Sequence, residues 1–290
     1  MIQPLFEHRR TFAGYETRVL ELEGDGAPIA LFHGYADSAD TWRQALALIA
    51  RQGRRAIAVD LPGFGTADPL EDGPILPQLD EFALAAVRYL SRSEPVIAAG
   101  NSLGGCVVLR MAQRHPSKLV GVVPVAPAGL EMSRLLYLVE RDPVLRSLLA
   151  LPTPVPAAVL RGAVARLYRQ LAFAVPSSVH PDVVSTFTWH HRRRADVARY
   201  LETARRFIPE LREAFDPERI SVPVLLVWGD RDRLVFHRGA ERILDAVPGS
   251  RLELLEGIGH CPQVEVPERF TELLLEFSGQ PAQPESASAA

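Results

Sequence analysis

The sequence predicts an α/β fold with a mainly parallel sheet and helices on both faces. Short continuous apolar runs alternate with segments whose apolar residues recur at helical spacing. Strands buried on both faces consist of such runs, and their alternation with helices is typical of parallel sheets. Polar residues suited to chemistry also follow the predicted strands directly, where ligands bind in such sheets. They are His33, Asp60, Ser102, Asp232 and His260.

The first part of the predicted core covers residues 1–128 and begins with a hairpin. Residues 7–22 alternate in polarity and turn near Gly14. Thr41 is expected to cap a helix over residues 42–51. Apolar runs predict strands at residues 29–32, 56–59, 95–99 and 119–126. Helical spacing predicts helices over residues 78–92 and from the residues after Gly100 to about 114, where His115-Pro116 ends the helix.

The second part of the core covers residues 216–279, with strands at 222–228 and 251–255 and helices at 238–247 and 267–277. Residues 129–215 contain no clear strand and seven prolines. We expect them to form several short helices, a helical cap over the strand ends. Apolar residues that could roof the site are Leu130, Leu135, Leu136, Tyr137, Leu148, Leu167 and Phe173. Residues 280–290 are rich in Pro, Ser and Ala and are expected to be a disordered tail.

Composition excludes several classes of function. Lys and Arg number 32 against 35 Asp and Glu, for a formal net charge of −3, so we expect no nucleic-acid partner. Residues 1–10 lack the apolar core of a secretory signal and no apolar run is long enough to span a membrane, which favours a cytoplasmic protein without a membrane partner. Two cysteines form no disulfide framework. No metal-ligand spacing occurs, and we expect no metal, no cofactor, and a monomer or homodimer.

The strongest motif is Gly100-Asn101-Ser102-Leu103-Gly104, which matches G-x-S-x-G between a predicted strand and a predicted helix. The turn is so sharp that side chains at positions 100 and 104 would collide, which explains the two glycines. The helix N-terminus then points its N–H groups at the reacting carbonyl. Ser102 is therefore predicted to be a nucleophile; the alternative is a glycine-rich turn with an incidental serine.

A serine nucleophile needs a base and a group that orients the base. Of eight histidines, His260 follows the last predicted strand in a glycine-rich loop. The alternative is an exposed loop histidine. The segment 228–232, WGDRD, follows a strand and precedes His260, and the order Ser, Asp, His is that of a known hydrolase arrangement. Asp232 is the preferred acid, and Asp230 is then a turn residue.

Acyl transfer also needs two N–H donors aimed at the developing oxyanion. The N–H of Leu103, directly after the nucleophile, is one candidate. The N–H of Tyr35 in His33-Gly34-Tyr35 is the other, because this segment follows a strand end. His33 itself is expected to be a structural hydrogen-bonding residue. The alternative is that His33 and Gly34 form only a tight turn.

Five segments together resemble the α/β-hydrolase superfamily over residues of about 10 to 278. They are HGY at 33–35, DLPGFG at 60–65, GNSLGG at 100–105, WGDRD at 228–232 and GIGHCPQVEVP at 257–267. The resemblance implies an eight-stranded sheet with an oxyanion loop, a structural turn, a nucleophile elbow, an acid loop and a histidine loop. A serine in the elbow differs from haloalkane dehalogenases and epoxide hydrolases, which place an aspartate there.

The residues favour a serine hydrolase that cleaves small to medium apolar carboxylic esters. GNSLGG is also similar to the elbow of meta-cleavage C–C bond hydrolases, but Cys261 stands where those enzymes usually carry Trp. A C–C hydrolase or a lactonase is therefore the first alternative, and a non-catalytic small-molecule receptor is the second. Cys261 is expected to pack rather than react. The basic residues 190–194, with Arg199, Arg205 and Arg206, form either a solvated helix face or a site for an anionic group.

Overall fold

The computed structural model describes residues 4–91, 94–134, 157–177 and 194–279. These residues contain one sheet of eight strands. The strands are β1 (Phe6–Phe12), β2 (Tyr15–Leu22), β3 (Asp25–Phe32), β4 (Arg54–Val59), β5 (Val96–Asn101), β6 (Leu119–Val125), β7 (Leu225–Gly229) and β8 (Arg251–Leu255). The helices are α1 (Arg43–Arg51), α2 (Ile75–Ser91), α3 (Leu103–Arg114), α4 (Ala157–Ala172), α5 (Arg194–Glu210), α6 (Glu241–Ala246), α7 (Pro262–Glu265) and α8 (Pro267–Ser278).

The sheet has the order β1-β2-β4-β3-β5-β6-β7-β8. β1 and β2 form the expected hairpin, and β2 pairs antiparallel with β4. All other neighbouring strands are parallel. The predicted mainly parallel α/β sheet is thus confirmed, and the carboxyl ends of β3, β5, β6, β7 and β8 lie at the same edge.

Helices cover both faces of the sheet because the central strands are apolar on both faces. In β3, Ala30 and Phe32 pack in a core with α2 and α3. The alternate residues Ile29 and Leu31 pack in a second core with α1 and α8. A period of two places successive strand residues on opposite faces, so a continuous apolar run fills both cores at once.

Several element boundaries differ from the expectations; β3, for example, begins at Asp25 rather than at residue 29. Thr41 does not cap a helix: Ser38 precedes it in extended conformation and caps a 3₁₀ turn over Ala39–Trp42, and α1 follows at Arg43. The Thr41 hydroxyl instead accepts from Gln263 Nε2 at 3.3 Å. Strand β7 begins at Leu225 rather than at residue 222. Pro223 lies among the residues predicted as strand that do not belong to β7, and a proline has no N–H to donate to the hydrogen bonds of a sheet.

The region between β6 and β7 contains α4 and α5, of 16 and 17 residues, which are longer than the short helices expected there. Leu130 is half-buried and Phe173 is buried, whereas Leu167 is 56% exposed. The expected roof residues Leu135, Leu136, Tyr137 and Leu148, like the tail 280–290, lie outside the described residues. The domain boundaries at residues 129 and 215 remain predictions, and residues 129–215 are called the insertion below.

No helix within the described ranges is both long and apolar enough to cross a membrane.

Candidate active site

Ser102 occupies the turn between β5 and α3. Its backbone lies at φ 52° and ψ −109°, a region that non-glycine residues rarely adopt. The neighbouring strand holds the turn: the Ser102 N–H donates to Val125 O at 2.8 Å, and the Ser102 carbonyl accepts from Ala128 N at 2.9 Å. Such strain persists only where surrounding structure over-determines it, and it is typical of functional sites.

The glycines of the motif allow backbone segments to touch. A Cβ atom at Gly100 would lie 2.3 Å from Gly104 O, and one at Gly104 would lie 2.1 Å from Phe32 O. Neither backbone oxygen can move aside cheaply. A Cβ at Gly34 would lie 3.3 Å from the Ser102 Cβ, so the loop after β3 packs directly against the serine. The elbow and the predicted oxyanion loop are therefore neighbours.

Asp232 lies in the turn after β7, and its carboxylate accepts four hydrogen bonds. Oδ2 accepts from His260 Nδ1 at 2.7 Å and from Trp228 Nε1 at 3.2 Å. Oδ1 accepts from the N–H groups of Leu234 at 2.8 Å and Val235 at 3.1 Å. A carboxylate with these four partners has one orientation, and it aims one oxygen at the imidazole.

Asp230, the competing acid, faces the other way. Its Oδ1 accepts from the Gly257 N–H at 2.7 Å, and its Oδ2 lies 3.6 Å from Arg231 Nε. It therefore ties the turn after β7 to the turn after β8. The structure joins Asp232, and not Asp230, to His260.

His260 is buried, with 5% of its surface exposed, and its backbone is bonded on two sides. Its N–H donates to Ala172 O in the insertion at 2.8 Å. Its carbonyl accepts from Asn101 Nδ2 at 2.9 Å. Asn101 directly precedes Ser102, so this bond places the histidine loop beside the elbow. Because Asp232 can only accept, Nδ1 carries the proton, and Nε2 is left as the basic nitrogen.

His33 is fully buried and its two ring nitrogens are both used. Nε2 accepts from the Leu61 N–H at 2.8 Å, so Nδ1 carries the proton and donates to Gly34 O at 2.7 Å. Burial lowers the pKa of His33 to about 4, against the attraction of Asp60. His33 is therefore neutral at pH 7 and connects the loop after β3 to the loop after β4.

The two predicted oxyanion donors belong to two segments that meet at the serine, the loop after β3 and the start of α3. Leu103 begins α3, and the first N–H groups of a helix have no partner within the helix. Tyr35 is anchored by its side chain, whose hydroxyl donates to Tyr200 O and whose ring packs edge-on against Phe64. Burial raises the pKa of Tyr35, so its hydroxyl stays protonated.

Asp60, at the end of β4, is the centre of a buried polar network that supports the same loops. Its carboxylate accepts from Arg18 Nε at 3.1 Å, Ala39 N at 2.8 Å and Thr66 N at 2.9 Å. Burial raises the pKa of Asp60, but Arg18 and the Ala39 N–H outweigh burial and hold the pKa below its ordinary value. A Cβ at Gly65 would lie 2.3 Å from the Asp60 Cγ, which explains the glycine in DLPGFG.

Two further observations concern Cys261 and the basic stretch, for which the sequence left alternative roles open. Cys261 is buried and packs with Ala172 and Phe173 of the insertion, and burial raises the pKa of its thiol well above the ordinary value. Arg206 is half-buried, and its Nη2 donates to Gly73 O at 2.8 Å. Residues 190–193 of the basic stretch lie outside the described residues.

Sequence reasoning missed three residues that hold this site. Asn101 bonds the histidine loop, and Trp228 donates from its indole to Asp232. Glu265 accepts from the Gly259 N–H at 2.8 Å. All three lie inside segments already singled out, Glu265 in residues 257–267, so their polar groups could have been considered. The contact of Glu265 with Ala174 could not be read from the sequence, because the two residues are distant in the chain.

Across residues 4–91, 94–134, 157–177 and 194–279, no three His, Cys, Asp or Glu side chains are grouped so as to hold a metal ion.

A sequence model of the α/β hydrolase fold matches residues 27–267, most of the chain. The chain belongs to the α/β-hydrolase fold family. An uncharacterised protein of Mycobacterium tuberculosis is 28% identical to this hydrolase-fold chain over 300 residues, covering 96% of it and 83% of the relative. The monoacylglycerol lipase ABHD6 of Bos taurus is 25% identical over 265 residues, covering 88% of the chain and 76% of the lipase.

Solved structures place the same fold over nearly the whole α/β-hydrolase chain. A membrane phospholipase A superposes with a TM-score of 0.76 at 22% identity, covering 94% of this chain and 85% of that one. A serine hydrolase involved in carbazole degradation gives a TM-score of 0.75 at 23% identity, with coverage of 94% and 98%. An enol-lactonase from Burkholderia xenovorans gives 0.72 at 18% identity, with coverage of 94% and 100%. At these identities the likeness establishes the fold alone.

Proposed function

We propose that this α/β-hydrolase cleaves carboxylic esters through a covalent acyl-enzyme formed on Ser102. The single observation that carries the proposal is the 2.7 Å hydrogen bond between Asp232 Oδ2 and His260 Nδ1, in a loop bonded to the residue before Ser102. It leaves Nε2 basic and fixes the ring. A serine on a strained turn at a helix N-terminus, beside an oriented imidazole, has the parts of an activated nucleophile.

The reaction follows from these roles. Ser102 Oγ attacks the ester carbonyl as its proton passes to His260 Nε2, and Asp232 stabilises the imidazolium. The N–H groups of Tyr35 and Leu103 hold the oxyanion, which carries the negative charge of the tetrahedral intermediate. Collapse expels the alkoxide, which takes the proton from His260. Water then gives a proton to His260 and attacks the acyl-enzyme carbonyl. Collapse of the second tetrahedral intermediate releases the acid, and Ser102 Oγ takes the proton back from His260.

An ester with an apolar acyl group is the favoured substrate class. The support for this class is that the relative ABHD6 is named a monoacylglycerol lipase. Lactone or C–C bond hydrolysis by the same residues is the competing chemistry, because it needs the same base and oxyanion donors.

The first experiment is labelling with a fluorophosphonate probe, with Ser102→Ala as the matched control. The folded wild-type protein should be labelled at one site, and Ser102→Ala should not be labelled. Ser102→Ala should also lower kcat by about 10⁶-fold, the loss that removal of a triad serine causes. Absence of labelling in the folded wild type would reject catalysis by Ser102 and favour a non-catalytic receptor.

The second experiment separates the substrate classes. A p-nitrophenyl ester series of increasing chain length is assayed beside a lactone and a meta-cleavage dienoate. We expect the highest kcat/KM with an ester. A higher kcat/KM with the dienoate or the lactone would replace the ester assignment while leaving the role of Ser102 intact.

A further inference from the structure

The loop that carries His260 is bonded to the insertion as well as to the sheet. The His260 N–H donates to Ala172 O at the end of α4. The carboxylate of Glu265 adds a second connection, since Oε1 accepts from the Gly259 N–H at 2.8 Å and Oε2 accepts from the Ala174 N–H at 3.0 Å. One side chain therefore bridges the residue before the base and the segment after α4.

The two segments are in backbone contact at this point. A Cβ atom at Gly259 would lie 2.6 Å from Ala174 N and 2.7 Å from Ala172 O. Glycine is thus required for the approach that lets both N–H groups reach one carboxylate. Phe173 and Cys261 are buried together beside the bridge, so the contact is packed as well as hydrogen-bonded.

The acid loop is bonded to the same end of α4. Arg233, the residue after Asp232, donates from Nη1 to Gln170 O at 2.6 Å. The carbonyls at a helix C-terminus lack partners within the helix and attract cations. The last turn of α4 thereby contacts both loops whose side chains form the Asp232–His260 pair.

We propose that Glu265 is a positioning residue that links the end of α4 to the His260 loop, so that the imidazole is held for proton transfer only while this part of the insertion is docked. The inference rests on the proposed function. The Glu265 carboxylate accepts N–H groups from both sides, and such charge-assisted bonds are the strong ones. Movement of residues 170–174 then displaces the loop that carries the base.

The test begins with Glu265→Gln, which keeps the size of the side chain, removes its charge and turns one acceptor into a donor facing an N–H. Glu268→Gln is the matched control, since Glu268 is exposed three residues away. Glu265→Gln should lower kcat and the rate of fluorophosphonate labelling by about 10- to 100-fold, as small misplacements of catalytic groups do. The control should match the wild type, and thermal unfolding should show both variants folded.

The pH dependence distinguishes positioning of the base from general loosening. Removing an anion near the Asp232–His260 pair disfavours the imidazolium, so the acid limb of the kcat/KM profile should move to lower pH in Glu265→Gln. A general loss of rigidity would lower the whole profile without moving that limb.

A double-mutant cycle tests the connection to the insertion. Ala174→Pro deletes the N–H that donates to Glu265. If this variant does not fold, Gly259→Ala is used in its place, because the added Cβ pushes the two segments apart. If one bridge is involved, Glu265→Gln adds little to either variant. Three results would each overturn the inference. The first is that the losses in kcat multiply in the double variants, and the second is that the acid limb of the kcat/KM profile does not move in Glu265→Gln. The third is that Glu265→Gln is labelled as fast as the wild type. Failure of the wild type itself to label would instead reject the proposed function.

Discussion

Replacing Asp232 by Asn should abolish most of the activity while the protein stays folded. The backbone N–H groups of Leu234 and Val235 cannot turn, so the Asn oxygen stays on them. The amide NH₂ then faces His260 Nδ1, which must become an acceptor. The imidazole proton moves to Nε2, and the ring can no longer take the proton of Ser102.

The expected loss is about 10⁴-fold in kcat, as for a triad imidazole held in the wrong tautomer, or about 5 kcal/mol of transition-state stabilisation. The effect on folding should be smaller, about 1–3 kcal/mol. Trp228 Nε1, which would also meet the new amide, keeps Val235 O as a partner at 2.9 Å. Activity is measured with a p-nitrophenyl ester at substrate saturation, and stability by urea unfolding.

Asp230→Asn is the control that makes the result decisive. Asp230 bonds the Gly257 N–H and not the imidazole, and an Asn oxygen can accept the same bond. Its kcat should stay close to that of the wild type. A loss of less than about 100-fold in Asp232→Asn, or an equal loss in Asp230→Asn, would refute the assignment of the acid.

Three further predictions concern glycine packing, pH and thiol reactivity. Gly104→Ala should lower the thermal midpoint of unfolding sharply, because its Cβ would lie 2.1 Å from a backbone oxygen. Gly162→Ala, at an open position on α4, should instead raise the stability by about 1 kcal/mol. Equal thermal midpoints of the two variants would contradict this prediction. With its pKa of about 4 in the folded protein, His33 binds a proton less readily than in the unfolded chain, so its contribution to stability is complete above about pH 6.5 and is lost as pH falls toward 4. The loss is about 3 kcal/mol, and urea unfolding of His33→Gln should show a weaker pH dependence over that window. Cys106 and Cys261 are buried with raised thiol pKa values and should react with Ellman's reagent only on unfolding; rapid reaction of the native protein would contradict this.

Much of the fold was predictable because local pattern and tertiary environment agree there. Continuous apolar runs such as residues 56–59 are typical of strands buried on both faces, and helices between them favour parallel pairing. The elbow at Ser102 was predictable for a similar reason. A sharp turn after a strand leaves no room for side chains at positions 100 and 104, and the contact between these two positions depends only on residues close in the chain. The start of α1 was not, because Ser38 and Thr41 are both suitable caps and the choice between them depends on neighbouring loops.

The sequence by itself determined the order of Ser102, Asp232 and His260 and their positions after strands, because strand periodicity and turn chemistry depend on near neighbours. Only the tertiary structure decided which aspartate faces the imidazole. Asp230 and Asp232 have different hydrogen-bond partners. Asp230 accepts from Gly257, whereas Asp232 accepts from His260 and Trp228. The bridge from Glu265 to the insertion was equally invisible in the sequence, because it joins N–H groups 85 residues apart, at 174 and 259, whose meeting depends on how α4 packs.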